Sequence, residues 1–146
     1  MSKKEDLKFG LVSEEKELER IKKFFDKPQL KKVKEKYFVF DFACEDLYVE
    51  LKSRRSTHDK YPDTMVGKNK IDYAKHTTRP VCFVFSFTDG LYYWKYNESD
   101  IGENVTFRKG GRFDRGRAEI SDYAYIKTSV LEKIPEEEPE LQFKID

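Results

Sequence analysis

The stretch YFVFDFACEDLYVELKSRR, residues 37–55, holds two runs rich in aromatic and β-branched residues on either side of the polar pair Glu45-Asp46. Two such runs around a short polar pair are typical of a β-hairpin. An aspartate, Asp41, interrupts the first run, and the second run alternates polar and apolar residues. The stretch therefore predicts two antiparallel strands, one of which carries an acid among apolar neighbours.

A turn at Glu45-Asp46 places Asp41 directly opposite Glu50 in the antiparallel pairing. Lys52 shares their face, because side chains alternate along a strand. Facing like charges destabilise a sheet unless a cation or a shifted pKa offsets them. A divalent metal would offset them, and its bound water can attack a phosphodiester while Lys52 stabilises the developing negative charge.

The alternative is a solvated hairpin face on which Glu50 and Lys52 form an ordinary ion pair. Such a pair contributes less than about 1 kcal/mol. It leaves unexplained why Asp41 stands in an apolar run, where an idle carboxylate would be costly to bury. We therefore prefer the metal site of Asp41 and Glu50.

The segments before the hairpin predict a helix over residues 13–26. Ser13 resembles a helix start, acids follow it in the first turn, and Leu18, Ile21 and Phe25 recur at helical spacing. Glu14 falls on the same stripe and is the preferred helix acid of the site, with Glu15 and Glu17 as alternatives one to three residues away. QLKKVKEK, residues 29–36, fits either a further helical turn or a charged linker.

The segments after the hairpin predict further elements in order. We expect a loop over 56–67, a helix from Asn69, a buried central strand in RPVCFVFSF (79–87), and a hairpin turn at Asp89-Gly90. A Gly-rich basic loop, FRKGGRFDRGR (107–117), precedes a last strand and a short helix. The order predicts a single α+β domain over 1–134, a mixed sheet flanked by helices, with a frayed acidic tail over 135–146.

Asp41 followed by Glu50-Leu51-Lys52 resembles the D…(D/E)xK signature of the PD-(D/E)XK nuclease superfamily. Members have a helix bearing a Glu, a hairpin carrying the signature, and a later helix with a Lys or Gln, a place that Lys70 fits here. The resemblance implies a restriction-endonuclease-like fold, a four-stranded core sheet, and Mg²⁺-dependent cleavage of DNA, with Mn²⁺ able to substitute. The chain departs from the pattern in having Phe40 rather than proline before the aspartate.

The net charge of +1 hides basic patches, because residues 107–117 carry five Lys/Arg against one acid. Phe107 and Phe113 lie among them and could stack on bases. Ordinary surface charge is about as good an explanation for each basic residue taken singly. The candidate phosphate contacts are Arg54, Arg55, Lys68, Arg108, Lys109 and Arg112.

The remaining patterns exclude several function classes. Cys44 and Cys82 lack zinc or redox spacing, and His58 and His76 have no ligand partner nearby in sequence, so we expect free thiols and surface histidines. No apolar stretch is long enough to span a bilayer. We expect an intracellular protein, in cytoplasm or nucleus, that is neither secreted nor membrane-bound.

The sequence thus predicts a metal-dependent nuclease, and DNA is the expected substrate in preference to RNA, with the choice between them left open. A non-catalytic nucleic-acid-binding module with the same fold is the alternative. A homodimer would be needed only to cut both strands together. Endonucleolytic cutting is preferred over exonucleolytic cutting, which stays open.

Overall fold

The computed structural model describes residues 3–112 and 119–136, with side chains described over 14–110 and 122–136. The two helices of this part are α1 (Lys3–Phe25) and α2 (Lys68–His76). The strands are β1 (Lys31–Lys32), β2 (Phe42–Cys44), β3 (Leu47–Ser53), β4 (Asp63–Gly67), β5 (Val81–Phe87), β6 (Gly90–Lys95), β7 (Val105–Arg112), β8 (Glu119–Lys127) and β9 (Glu132–Lys133). Short 3-10 turns span Glu98–Asp100 and Thr128–Val130.

The main sheet is mixed and has six strands in the order β1-β2-β3-β5-β6-β9. β3 and β5 pair in parallel, and the other neighbours pair antiparallel. A second, antiparallel sheet has the order β4-β8-β7. The predicted α+β class is confirmed, and β5 is the central strand expected from its apolar run.

Two hydrophobic clusters cover the two faces of the main sheet. On one face, Ile21 of α1 packs in a cluster with Val49 and Val84. On the other face, Phe83 and Phe85 pack in a cluster with residues of α2 and the second sheet, including Ile71. Alternation along β3 turns Glu50 and Lys52 toward this second face.

Helix α1 starts earlier than predicted, at Lys3 rather than near residue 13. The upstream residues, rich in Lys, Glu, Asp and Leu, include good helix formers, so Ser13 lies inside the helix instead of capping it. The predicted end is confirmed within one residue. Asp26 then adopts a left-handed backbone with φ of 54°, and Pro28 follows.

Two predicted loops differ from the structure because parts of them are strands that pair with β8. Residues 63–67 of the predicted loop form β4, which pairs with β8. Residues 107–112 of the predicted basic loop lie in β7, also paired with β8. The 29–36 segment, expected to be either a helical turn or a charged linker, contains the short edge strand β1. Strand propensity within each segment is too weak to reveal such pairing.

Both hairpins of the main sheet are present with adjusted bounds. β2 is only three residues long, so residues 37–41 of the apolar run lie outside it. The second hairpin turns at Thr88-Asp89, one residue before the predicted turn, since Phe87 pairs with Gly90. Gly90 has a φ of 139°, which other residues rarely adopt.

Other expectations concern cysteines, membranes and the tail. Cys44 and Cys82 are both free thiols, as predicted. Among the described residues, neither helix has a stretch long and apolar enough to cross a membrane. Residues 137–146 of the predicted tail lie outside the described part.

Arg54 joins β3 to β4, and its loss should lower the stability of the fold. Its guanidinium donates to Thr64 Oγ1 at 3.2 Å and to the Met65 carbonyl at 2.5 Å. We expect Arg54→Ala to lower the free energy of unfolding by about 1–3 kcal/mol, because it leaves these acceptors in a partly buried place. Urea denaturation measures it. Arg55→Ala, on an exposed neighbour, is the matched control, and equal effects would contradict this role for Arg54.

Candidate active site

Asp41 lies at the point where the β2–β3 pairing ends. The predicted register is confirmed, since Ala43 pairs with Tyr48 and Phe42 with Val49. Asp41 precedes β2 by one residue, and its Oδ2 accepts a hydrogen bond from the Leu51 backbone N–H at 2.8 Å. This hydrogen bond, at the end of the β2–β3 ladder, holds the Asp41 carboxylate beside β3.

Glu50 is a buried acid at the middle of β3, with 1% of its side chain exposed. β3 pairs there with β5, where Glu50 aligns with Phe83. The pKa of Glu50 is raised to about 7, first by burial and then by hydrogen bonding with and repulsion from the Asp41 carboxyl. The two acids therefore converge, as the register predicts.

Two lysines approach the same oxygen of Glu50. Lys70 of α2 lies with Nζ 2.9 Å from Glu50 Oε2, and it also donates to the Val39 carbonyl. Lys52 Nζ lies 3.9 Å from Oε2. Both ammonium groups lower the pKa of Glu50, but less than burial and Asp41 raise it.

Glu50 Oε2 is buried and has no hydrogen bond of acceptable geometry in the described structure, despite the nearby ammonium of Lys70. A buried carboxylate is costly unless cations or donors meet it, and the ammonium groups of Lys70 and Lys52 offset only part of this cost, since the pKa of Glu50 stays raised. Together with the Asp41 carboxylate it forms a set of hard oxygen donors. The residues present therefore fit a divalent cation.

Two acids of helix α1 border the site. Glu14 and Glu17 line a groove of about 900 Å³ together with Asp41, while Glu15 is exposed on the helix. Glu14 pairs with Lys32 at 3.2 Å, and Glu17 accepts a hydrogen bond from Ser86 Oγ at 2.6 Å. The preferred helix acid, Glu14, thus lies in the groove, and Glu17 lies there as well.

The candidate phosphate contacts fall into different surroundings. Arg54 is engaged with β4, and burial lowers its pKa. Arg108 pairs with Asp63 at 2.9 Å, and Lys68 with Asp72 at 3.1 Å. Arg55 and Lys109 are exposed, whereas the side chain of Arg112 and all of Phe113 lie outside the described residues.

His58 is not the isolated surface histidine that the sequence suggested. Its Nδ1 lies 2.5 Å from Asp89 Oδ2, its backbone N–H donates to Asp89 Oδ1, and its ring stacks on Tyr92. Potential ligand atoms of His58, Asp59 and Asp89 all lie within 4.8 Å of one another. Local spacing missed this cluster because Asp89 comes 31 residues after His58.

The comparison with known families matches residues 10–134 to the family described as "Phage putative PDDEXK endonuclease". The chain belongs to this family. The resemblance drawn from Asp41 and Glu50-Leu51-Lys52 is thereby confirmed, as is the restriction-endonuclease-like α+β fold. Membership supports a nuclease acting on nucleic acid, and PDDEXK nucleases generally use divalent metals. No curated protein matches the sequence.

Glu50 should make the stability of this PDDEXK protein depend on pH. Its pKa is about 7 when folded against 4.5 for the ordinary group, so the folded state binds the proton more tightly. Stability from this group is complete below about pH 4.5 and is lost as the pH rises through about 7. We expect the metal-free protein to lose up to about 3 kcal/mol over this range relative to Glu50→Gln.

Urea denaturation of both proteins in a chelator, from about pH 4.5 to 8, measures this difference. The variant keeps the shape of the side chain and removes the titration. Parallel stability curves for the two proteins would show that Glu50 does not hold its proton more tightly in the folded state.

Proposed function

We propose that the protein is a divalent-metal-dependent endonuclease of DNA, with Asp41 and Glu50 as ligands of Mg²⁺ and Lys52 as the catalytic lysine. The observation that carries the proposal is the convergence of two carboxylates on a buried position of β3. Two neighbouring carboxylates repel each other, and a bound cation offsets this repulsion. An ordinary ion pair joins an acid to a base, so it does not explain two acids that lie together.

Mg²⁺ suits these ligands because it binds few carboxylates and keeps several waters, and Mn²⁺ suits the same oxygen donors. When bound, such a metal supplies a water of lowered pKa and neutralises charge on the scissile phosphate. Glu50 would hold it at the buried side. Asp41 would hold it at the groove, fixed by the Leu51 N–H.

Lys52 is the better candidate for contact with the reacting groups. Its side chain is 39% exposed, whereas that of Lys70 is 19% exposed. The Lys52 ammonium can therefore donate to the attacking water or to a phosphate oxygen as negative charge develops. Lys70, tied to Glu50 and to the Val39 carbonyl, is proposed as a positioning residue.

Glu14 and the exposed cations complete the proposed site. Glu14 would accept a hydrogen bond from water in the groove that it shares with Asp41. Arg55 and Lys109 would contact phosphates, because both are exposed. Lys68 and Arg108 would do so by exchanging their present carboxylate partners.

Single substitutions should separate metal binding from catalysis. We expect Asp41→Asn and Glu50→Gln to abolish Mg²⁺ or Mn²⁺ binding in calorimetry, since each removes a charged ligand. Lys52→Ala should keep the metal and the DNA but lower the cleavage rate at least about 100-fold, because the ammonium acts on developing charge. Lys95→Ala, on β6 and two strands away from β3, is the matched control.

A non-catalytic binding module predicts a different pattern. It requires no metal binding by the wild-type protein, no cleavage of supercoiled or linear DNA, and equal DNA affinity in all three variants. That combination would overturn the proposed nuclease. Cleavage of RNA alone would correct the substrate while leaving the metal site in place.

The salt dependence of DNA binding should identify phosphate contacts. We expect Lys109→Gln to reduce the slope of log affinity against log salt by about one and to weaken binding similarly for all sequences. Lys95→Gln, also exposed, should leave the slope unchanged. Equal slopes for wild type and Lys109→Gln, from anisotropy titrations, would remove Lys109 from the proposed surface.

A further inference from the structure

A second cavity adjoins the groove that Glu14, Glu17 and Asp41 line. It holds about 520 Å³ and lies between the end of β3, the 56–62 segment and the second sheet. Arg54, Arg55 and Phe87 border both this cavity and the groove that contains Asp41. The two spaces are therefore neighbours along one surface. We call this cavity the side pocket.

The side pocket combines aromatic surface with cations. Tyr61 borders it with 57% of its residue surface exposed, and Lys60 Nζ lies 5.5 Å from the centre of the Tyr61 ring. Arg55 also borders it, and within the described residues neither Arg55 nor Lys60 forms an ion pair with a carboxylate. Among the described residues that border the pocket, Asp63 is the one carboxylate, and it is already paired with Arg108.

His58 adds a directed donor or acceptor to the side pocket. Because Asp89 occupies Nδ1 and Tyr92 supports the ring face, Nε2 is the ring nitrogen left for a ligand. A histidine held in one orientation at the wall of a cavity suits recognition of a phosphate or of a base edge. Neither Glu50 nor Lys52 needs this histidine in the proposed reaction.

We propose that the side pocket binds an unpaired nucleotide of the substrate strand, next to the cleavage site. Tyr61 would stack on the base, and Arg55, Lys60 and His58 would meet its phosphate. The chemistry fits because stacking on an aromatic ring and charge pairing with phosphate are how proteins hold single strands. This inference rests on the proposed nuclease function and adds a preference for substrate shape.

The size and the position of the pocket favour one or two unpaired nucleotides over a duplex. Its volume is that of a small-ligand cavity, in the usual range of about 300–1,000 Å³. Arg54 and Arg55 follow Lys52 by two and three residues, just past the end of β3, so the chain between them spans at most about 7–10 Å. That is about two to three steps of 3.4 Å in a stacked strand. A paired base would have to leave its stack and its partner before it enters the pocket. This costs least for a base that is already unpaired.

The test compares two Lys-Tyr pairs of the same chain. Lys60-Tyr61 lies at the side pocket, and Lys36-Tyr37 is a more exposed pair of the same kind, with Lys36 Nζ 5.7 Å from the ring centre and Tyr37 89% exposed. Wild type, Tyr61→Ala and Tyr37→Ala would be titrated in chelator with labelled DNA hairpins. One hairpin has a blunt end, and the others carry a short 5′ or 3′ overhang.

We expect wild type to bind at least one overhang hairpin more tightly than the blunt one. Tyr61→Ala should weaken binding to that overhang between about 5-fold and 100-fold, and Tyr37→Ala should not. Equal binding of blunt and overhang hairpins, or equal losses in the two variants, would overturn the pocket. A free mononucleotide that competes fully with the overhang would show binding of nucleotides without a role for strand ends, and would overturn the strand preference.

Cleavage assays with Mg²⁺ separate this inference from the proposed function. If the overhang preference holds but no strand is cut, the nuclease proposal fails and the pocket stands. If Lys52→Ala abolishes cutting while Tyr61→Ala changes neither binding nor the choice of substrate, the pocket fails and the nuclease stands.

Discussion

The burial of the Glu50 carboxyl beside Asp41 constrains the rest of the structure. A sheet strand places Glu50 under α2 with 1% of its side chain exposed, and the second acid makes ionisation harder still. Lys70 and Lys52 offset part of this cost from two directions, one from the helix and one from the same strand. Positive charge from lysine or from a metal lowers the cost of ionising Glu50, and protonation of the carboxyl avoids that cost.

The layered architecture explains how such a costly position is maintained. Helix α1 covers one face of the main sheet, and α2 with the second sheet covers the other, so β3 and β5 form the interior. Asp41 lies just before β2 and lines the groove, whereas Glu50 is buried in β3. The rigid interior fixes Glu50, and the end of the ladder leaves Asp41 accessible to a substrate.

The sequence predicts the interior and the acid pair well, because both depend on short-range patterns. The hairpin register needs only the Glu45-Asp46 turn, and the apolar run of β5 identifies the central strand. It misses β7, whose partner β8 follows directly, because Gly110 and Gly111 weaken the strand pattern. It misses β4 because β4 forms by pairing with β8, which comes far later in the chain. The same limit hides the His58–Asp89 contact, which joins two separate turns.

The sequence pattern also does not determine which acid of α1 lines the groove. Glu14 and Glu17 lie three residues apart on one helix face, so the sequence ranks them poorly, and the structure places both in the groove. The sequence also does not predict that Arg54 bonds to β4. Nothing in its sequence neighbourhood distinguishes it from Arg55, yet only Arg54 meets Thr64 and Met65 of a strand that the sequence does not reveal.

Locating a metal directly tests the central claim that Asp41 and Glu50 form the metal site. Crystals soaked in Mn²⁺ would be measured for anomalous scattering. We expect a peak bound by carboxylate oxygens of both Asp41 and Glu50. This peak should be absent in Glu50→Gln. A peak only at His58, Asp59 and Asp89, or no peak near Glu50 at saturating Mn²⁺, would contradict it.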